Sequence, residues 1–165
     1  MILDPSRRRM PSRVEAPEVR PGLVEVEEIL ARGEAVFAPL IAERGIAFSR
    51  WRETPHAPTA VLADADQLTQ ILVSLMDDAI QTTPAQGRIS IVVRTDHGRA
   101  EIRITDTGLG IDPDHLGAIT GRPTAPRVAE EAAPRLARRM GAQLSVTRNP
   151  GRGSTYRLIL PTCST

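Results

Sequence analysis

The chain contains no lysine, so all 21 residues in its Lys and Arg total are arginine. Asp and Glu together number 20, and the net charge at pH 7 is therefore only +1. A net charge so close to neutrality argues against a dedicated nucleic-acid binder. Aromatic residues are also scarce, because the sequence holds two Phe, one Trp and one Tyr. An aliphatic core is therefore expected, and recognition by stacking of bases on aromatic side chains is not.

Cysteine is represented by Cys163 alone. This excludes a disulfide framework and a multi-cysteine metal site within the chain. The sequence also has no apolar run near the roughly 18 residues of a membrane helix, and no signal-peptide pattern. We expect a soluble, cytoplasmic domain without direct membrane contact. This expectation also holds for a domain of a membrane-anchored parent protein.

The first part of the chain changes character near residue 22. Residues 1–22 combine four Pro and five Arg with no sustained hydrophobic period, which predicts a poorly ordered arm or linker. Residues 23–44 carry apolar side chains at roughly helical spacing and Gly45 follows as a stop signal, so a helix is predicted there. Residues 46–53 alternate in polarity, and "AVLA" follows a proline-punctuated loop; both patterns predict strands.

The clearest helix is predicted in "DADQLTQILVSLMDDAIQTTP". Asp64, with Gln67 three residues later, resembles a capping box, and Pro84 marks the exit. The predicted buried face consists of Leu68, Ile71, Leu72, Leu75, Met76 and Ala79. A separate polar stripe consists of Gln67, Gln70, Ser74, Asp78 and Gln81.

Two hairpins complete the pattern. "RISIVVRT" and "RAEIRITD" alternate on either side of "DHG", where Gly98 favours a tight turn, and "AQLSVTR" and "STYRLILP" flank "NPGRG". Between the hairpins a helix is predicted near residues 128–140, despite Pro134. The expected fold class is α+β, a two-layer sandwich in which helices cover one face of a mostly antiparallel sheet.

An acidic residue followed by two glycines ends the first hairpin, in "ITDTGLGID". Asp106 shares its strand parity with Ile102 and Ile104, so its carboxylate points toward the interior. A buried carboxylate needs donors, and a ligand amine, a bound water or backbone N–H groups would each serve. Gly108 and Gly110 permit close backbone approach. On spacing alone, a ligand loop and a strand-end turn with a capping acid both remain open.

The sequence around this loop resembles a known family. "DTGLGI" is similar to the first glycine box of the Bergerat-fold (GHKL) ATPases, specifically the catalytic domain of bacterial sensor histidine kinases. "VLADADQLTQILVSLMDDAIQTTP" resembles the asparagine-box helix of that domain, and "MGAQLSVTRNPGRGSTYRLILP" resembles its closing hairpin. "ILDPSRRR" is similar to the end of the dimerisation helix that precedes such domains. The resemblance covers residues 20–161 in the order of the family.

The resemblance implies a histidine-kinase-like ATPase domain with a Bergerat sheet over residues 23–161. A linker (residues 1–22) would precede it and a short tail (residues 162–165) would follow. The implied partners are the dimerisation and phosphoacceptor domain of a parent kinase and a response regulator. The parent would dimerise through a segment absent from this chain.

The resemblance also implies a ligand, ATP or ADP with Mg²⁺, and residues that hold it. Asp106 would accept a hydrogen bond from the adenine amino group, and Gly108 and Gly110 would shape the floor of the pocket. Thr155, in the Gly-x-Gly-Ser-Thr turn of the closing hairpin, would also contact the nucleotide.

The chain departs from the family pattern where the phosphates would lie. Ser74 and Asp78 stand at the two Asn positions of the asparagine box, and Gln81 stands at its Lys, so a positive charge is lost. The family's Asn at the position of Asp78 would hold Mg²⁺; a carboxylate is also a good ligand for a hard cation, but without metal it repels a triphosphate. The second glycine box falls by register on "RVAE", residues 127–130, which contains no glycine.

These departures favour a degenerate kinase domain that acts as a regulator or scaffold in two-component signalling. An active kinase domain that phosphorylates a His on a separate dimerisation domain is the alternative. A standalone phosphotransfer or anti-sigma-type protein of the superfamily is the third hypothesis. None of the histidines is predicted to be a phosphoacceptor: His56, His97 and His115.

Overall fold

The structure is a computed structural model that describes residues 20–54, 59–110 and 128–163, with the side chains of 128–132 left out. In chain order its elements are β1 (Gly22–Glu25), α1 (Val26–Glu43), β2 (Ala47–Arg52), β3 (Ala60–Ala63), α2 (Ala65–Thr82), β4 (Arg88–Asp96), β5 (Arg99–Asp106), α3 (Val128–Arg139), β6 (Gln143–Asn149) and β7 (Gly153–Pro161). Among the described residues, no helix has the length and apolarity needed to cross a membrane.

One five-stranded sheet in the order β2-β4-β5-β7-β6 forms the centre of the fold. The β2–β4 pair is parallel and the other three pairs are antiparallel. Alternate side chains of β5 and β7 are buried under α2, as the period of a strand requires. The predicted α+β sandwich with a mixed, mostly antiparallel sheet is confirmed.

The first predicted helix begins three residues later than expected. Residues 22–25 form β1, an antiparallel partner of β3 in a separate two-stranded sheet, and Leu23 lies opposite Leu62. The alternation of exposed Leu23 with buried Val24 belongs to a strand, and it merges in sequence with the helical pattern that starts at Val26. Residues 1–19 of the predicted arm lie outside the described residues.

Helix α2 agrees with its prediction. Asp64 is the N-cap, and its carboxylate accepts hydrogen bonds from the backbone N–H groups of Asp66 and Gln67. The predicted face is buried throughout: Leu68, Ile71, Leu72, Leu75, Met76 and Ala79. At the other end, the Arg44 guanidinium donates to the carbonyl oxygens of Ile80 and Thr83, which fixes the C-terminus of α2 beside the sheet.

Both hairpins form where the sequence predicts them. The β4–β5 turn is the two-residue loop of His97 and Gly98, whose φ values of 47° and 72° are those of a type I′ turn. The β6–β7 hairpin pairs Asn149 with Gly153 across its turn. Because β5 pairs with β7, the end of β5 and the start of β7 meet beside the C-terminus of α2. The candidate site lies there.

Candidate functional site

Asp106 is the last residue of β5 and is 1% exposed. Its Oδ1 accepts hydrogen bonds from the backbone N–H of Gly108 (2.7 Å) and of Ser154 (3.2 Å). Its Oδ2 is buried and has no hydrogen-bond partner among the described residues. A buried carboxylate oxygen needs a donor, and a ligand N–H group or a bound water can each supply one to Oδ2.

The charge state of Asp106 follows from its surroundings. Burial raises the pKa of its carboxyl group above the ordinary value, which is the largest effect. The N–H groups of Gly108 and Ser154 and the positive charge of Arg148 lower it, whereas the negative charge of Asp78 raises it further. The net pKa shift is upward, as in other carboxylic acids kept in a poorly hydrated pocket.

Two glycines allow the loop after Asp106 to lie against its neighbours. A Cβ on Gly108 would lie 2.5 Å from the Thr82 carbonyl oxygen and 2.7 Å from Asp106 Oδ1. Gly110 has a φ of +62°, and a Cβ there would lie 1.9 Å from the Asn149 carbonyl oxygen. Both positions therefore exclude any side chain. The glycines pack the loop against α2 on one side and the β6–β7 turn on the other.

A second polar cluster joins α2 to the far strands of the sheet. Asp78 Oδ2 accepts hydrogen bonds from Arg148 Nη2 at 3.0 Å and from the Tyr156 hydroxyl at 3.3 Å. Arg148 Nη1 also donates to the Tyr156 hydroxyl at 3.2 Å, and the guanidinium carbon lies 5.6 Å from the centre of the tyrosine ring. The side chains of Arg148 and Asp78 are only 18% and 13% exposed. We call these three residues the Asp78 triangle.

Electrostatics within the Asp78 triangle favour the charged pair. Burial and the nearby negative charge of Asp78 raise the pKa of the Tyr156 hydroxyl, so it stays protonated. Burial alone would lower the pKa of the Arg148 guanidinium, but the hydrogen bond to Asp78 and the contact with Tyr156 raise it overall. Arg148 is therefore a permanent cation beside Asp78.

The Asp78 triangle borders a cavity of about 380 Å³ between the helices and the sheet. This volume lies in the range of small-molecule sites. The lining residues come from α2, α3, β6 and β7: Ser74, Leu75, Asp78, Ala133, Pro134, Leu144, Val146, Arg148 and Tyr156. In register, Arg148 pairs with Ser154, whose amide binds Asp106. The buried carboxylate and the cavity are thus connected through β7.

The predicted asparagine-box residues do not all reach this cavity. Ser74 and Asp78 line it, as the helical stripe suggested. Gln81 is exposed, and its amide donates to Asp77 Oδ2 at 2.6 Å instead. One further helical turn carries Gln81 beyond the part of α2 that faces the cavity. Of the three predicted residues, Ser74 and Asp78 line the cavity and Gln81 does not.

In the closing hairpin, the structure brings Ser154 to the site and turns Thr155 away. Thr155 has the strand parity of exposed Arg157, so its side chain lies on the sheet face opposite the helices. Ser154 is 1% exposed, and its hydroxyl oxygen has no hydrogen-bond partner among the described residues. The apolar residues Tyr156, Leu158 and Leu160 share the parity of Ser154, so the alternation of β7 also favours Ser154 over Thr155 as the inward side chain.

The predicted metal ligand is tested by the chemistry around it. Asp78 Oδ2 already accepts from a guanidinium and a hydroxyl, and the described part of the chain holds no cluster of three or more His, Cys, Asp or Glu side chains suited to a metal. Mg²⁺ prefers octahedral coordination by oxygens, several of which are usually waters or substrate phosphates. The two hydrogen bonds at Asp78 Oδ2 make this oxygen an unfavourable ligand for a magnesium ion.

The remaining predicted features are the third helix, the second glycine box and the segment between the boxes, and the structure describes them only in part. Helix α3 begins at Val128, within the predicted range, and includes Pro134. The register of the second glycine box is residues 127–130, of which Arg127 lies outside the described residues and the others have no described side chains. Residues 111–127, which include the segment between the two glycine boxes, lie outside the described residues as well.

Comparison with known proteins agrees with this geometry. A family model described as "Histidine kinase-, DNA gyrase B-, and HSP90-like ATPase" matches residues 63–164. The aerobic respiration control sensor protein ArcB of Escherichia coli K12 is 31% identical over 150 residues, which cover 83% of this chain and 19% of ArcB. The chain thus spans about a fifth of that relative.

Solved structures of histidine kinases share the fold. Full-length ShkA in complex with AMPPNP gives a TM-score of 0.72 at 25% identity, over 91% of this chain and 33% of ShkA. Histidine kinase ThkA in complex with response regulator protein TrrA gives a TM-score of 0.70 at 16% identity, over 88% of this chain and 42% of ThkA.

Proposed function

We propose that this chain, which belongs to the histidine kinase-, DNA gyrase B-, and HSP90-like ATPase family, binds the adenine of a nucleotide through Asp106. Domains of this family bind ATP, usually with Mg²⁺. The observation that carries the proposal is the Asp106 Oδ2 atom, which is buried and unpartnered among the described residues. An amino N–H group at this oxygen would complete the hydrogen bonding of the carboxylate.

Ser154 makes the proposed contact specific for adenine. The edge of adenine presents a donor, its amino group, beside an acceptor, the neighbouring ring nitrogen. Asp106 offers an acceptor, and the buried Ser154 hydroxyl, on the residue whose amide binds Asp106, offers a donor. This pairing of an acceptor with a donor matches adenine and mismatches a base with a carbonyl group at the same position.

We further propose that the phosphate end of the site is degenerate. Phosphoryl transfer depends on positive charge and positioning around the terminal phosphate. The chain has no lysine, the Gln81 amide is hydrogen-bonded to Asp77, and Asp78 is held by Arg148. The domain would then regulate or scaffold a two-component signalling protein, with adenine nucleotide bound weakly or not turned over.

The proposed partners follow from the family. They are the dimerisation and phosphoacceptor domain of a parent kinase and a response regulator, since ThkA is solved with its response regulator TrrA. The proposed location is the cytoplasm, where ATP and response regulators are available. An active kinase domain is the second candidate, favoured by the acid and the two glycines of the proposed adenine end: Asp106, Gly108 and Gly110.

Calorimetric titration of the 165-residue chain with ADP and ATP tests the proposal. We expect both to bind in the wild type, ATP no more tightly than ADP, and both to weaken in Asp106→Asn. Asp96→Asn, at an exposed carboxylate on β4, is the matched control and should bind as the wild type does. Equal binding by wild type and Asp106→Asn would contradict the adenine contact. ATP binding much tighter than ADP, with hydrolysis or phosphoryl transfer, would favour the active kinase.

A further inference from the structure

The pairing of Asp78 with Arg148 has a consequence for the cofactor of this site. Asp78 belongs to α2, and Arg148 belongs to β6, 70 residues later. Their side chains meet at 3.0 Å, both are mostly buried, and the Tyr156 hydroxyl binds to both. Breaking such a pair is costly, because removing either member leaves the other charge buried.

A divalent cation at Asp78 Oδ2 would compete directly with the Arg148 guanidinium. The two positive charges cannot share one carboxylate oxygen without strong repulsion. The guanidinium is covalently tethered beside the oxygen, whereas a metal ion would have to be recruited from solution and lose part of its hydration shell. These two differences favour the tethered cation at Asp78 Oδ2.

The same pair changes what a nucleotide encounters in the cavity. Both residues line the cavity, and Arg148 lies opposite Ser154, next to the proposed adenine contact at Asp106. A phosphate that approaches an isolated carboxylate is repelled. Here the Arg148 guanidinium lies 3.0 Å from Asp78 Oδ2, and its positive charge offsets that repulsion.

We propose that Arg148 replaces the divalent cation of this site, so that adenosine diphosphate and related nucleotides bind without a metal ion. This inference rests on the proposed adenine site. It concerns binding by the ground-state nucleotide, and it requires no chemical step.

The test is a calorimetric titration of ADP in excess EDTA and in millimolar Mg²⁺. For the wild type we expect the two dissociation constants to agree within about twofold. In Arg148→Met, which keeps the length of the side chain and removes its charge, we expect binding in EDTA to weaken by about tenfold or more and to recover partly with Mg²⁺. Arg94→Met, at an arginine on β4 outside the cavity, is the matched control and should behave as the wild type does.

Two results would overturn the inference. One is a wild type whose ADP affinity rises about tenfold or more with Mg²⁺ and loses that gain in Asp78→Asn. The other is an Arg148→Met variant that binds ADP in EDTA as tightly as the wild type. Because Arg148→Met leaves Asp78 buried without its cation, Asp78→Asn/Arg148→Met serves as the folded comparison, and its unfolding midpoint should exceed that of the single variant.

Failure of the adenine site would give a different pattern. If no variant binds ADP under either condition, the proposed function fails, and electron paramagnetic resonance of Mn²⁺ added to the nucleotide-free chain then tests whether Arg148 closes Asp78 to metal. Mn²⁺ bound by Arg148→Met and not by the wild type would support a site closed to metal by Arg148. Mn²⁺ bound by the wild type and lost in Asp78→Asn would overturn it.

Discussion

The backbone N–H of Ser154 donates to Asp106 Oδ1 at 3.2 Å, and this bond fixes the start of β7 against the last residue of β5. With the bond from Gly108, it occupies one carboxylate oxygen and leaves the other without a partner among the described residues. The orientation of the carboxylate is therefore set by backbone atoms, which no side-chain rearrangement can easily change. The proposed adenine contact depends on this rigidity.

Gly108→Ala should damage both the fold and the site. The new Cβ would meet the Thr82 carbonyl oxygen at 2.5 Å, and a backbone atom cannot move aside as a flexible side chain can. We expect the free energy of unfolding to fall by about 1–3 kcal/mol in urea titrations, with loss of ADP binding. Gly22→Ala is the control, because no atom lies within 4 Å of its Cβ, and it should be nearly neutral.

Asp64→Ala should destabilise α2 by removing its N-cap. The Asp64 carboxylate accepts from the N–H groups of Arg20, Asp66 and Gln67, and substitution of such a cap by Ala costs about 1 kcal/mol. Asp64→Asn keeps an acceptor and should cost much less. Equilibrium urea unfolding of the two variants at neutral pH measures the difference, and equal losses would show that the cap hydrogen bonds do not matter.

The same cap has a predictable pH dependence. The N–H groups of Arg20 and Gln67 lower the pKa of Asp64 below its unfolded value. A group of this kind contributes stability above its unfolded pKa, near 4, and loses that contribution as the pH falls through the folded pKa. The stability difference between wild type and Asp64→Ala should therefore shrink as the pH is lowered from 6 to about 2. A difference that stays constant over this range would contradict the shift.

The pH dependence of stability that comes from Asp106 should have the opposite sign to that from Asp64. Burial raises its folded pKa above the unfolded value, so its contribution to stability falls as the pH rises through the interval between the two. Asp106→Asn removes this titration, and the variant should gain stability relative to wild type as the pH rises from about 3 toward neutrality. Urea unfolding across this range measures the trend, with Asp96→Asn as the exposed control. A flat difference would show that the carboxyl group is well hydrated.

Most of the fold follows from local patterns in the sequence. Residues that alternate or repeat at helical spacing give nearly every element, because each pattern must bury one face against the same core. The exception is β1, where the strand pattern at Leu23 and Val24 merges with the helix that begins at Val26. Its existence depends on pairing with β3, a long-range contact that local patterns do not encode.

The site is only partly predictable for a related reason. The inward direction of Asp106 follows from strand parity and is confirmed by its 1% exposure. The inward direction of Ser154 follows from parity as well, because Tyr156, Leu158 and Leu160 share it. The Arg148–Asp78 pair joins residues 70 apart in the chain and leaves no periodic signal, so only the structure reveals it.

Ser154→Ala tests the assignment of Ser154 over Thr155. The variant keeps the backbone N–H that binds Asp106 and loses only the buried hydroxyl. Loss of one hydrogen bond to the nucleotide should weaken ADP binding by about 3- to 10-fold, measured by calorimetry. Thr155→Val changes the hydroxyl on the opposite sheet face and should leave the affinity unchanged. If Thr155→Val weakens ADP binding and Ser154→Ala does not, the contact belongs to Thr155 instead.

The most direct test of the adenine contact exchanges the base as well as the residue. Inosine diphosphate carries a carbonyl oxygen where ADP carries its amino group, so the Asp106 carboxylate should repel it. Calorimetric titration of wild type and Asp106→Asn with both nucleotides measures the coupling between residue and base. We predict that wild type prefers ADP by about 10-fold or more, and that Asp106→Asn, whose amide donates to a carbonyl, reduces or reverses this preference. The same preference in both proteins would contradict the assignment of Asp106 to adenine.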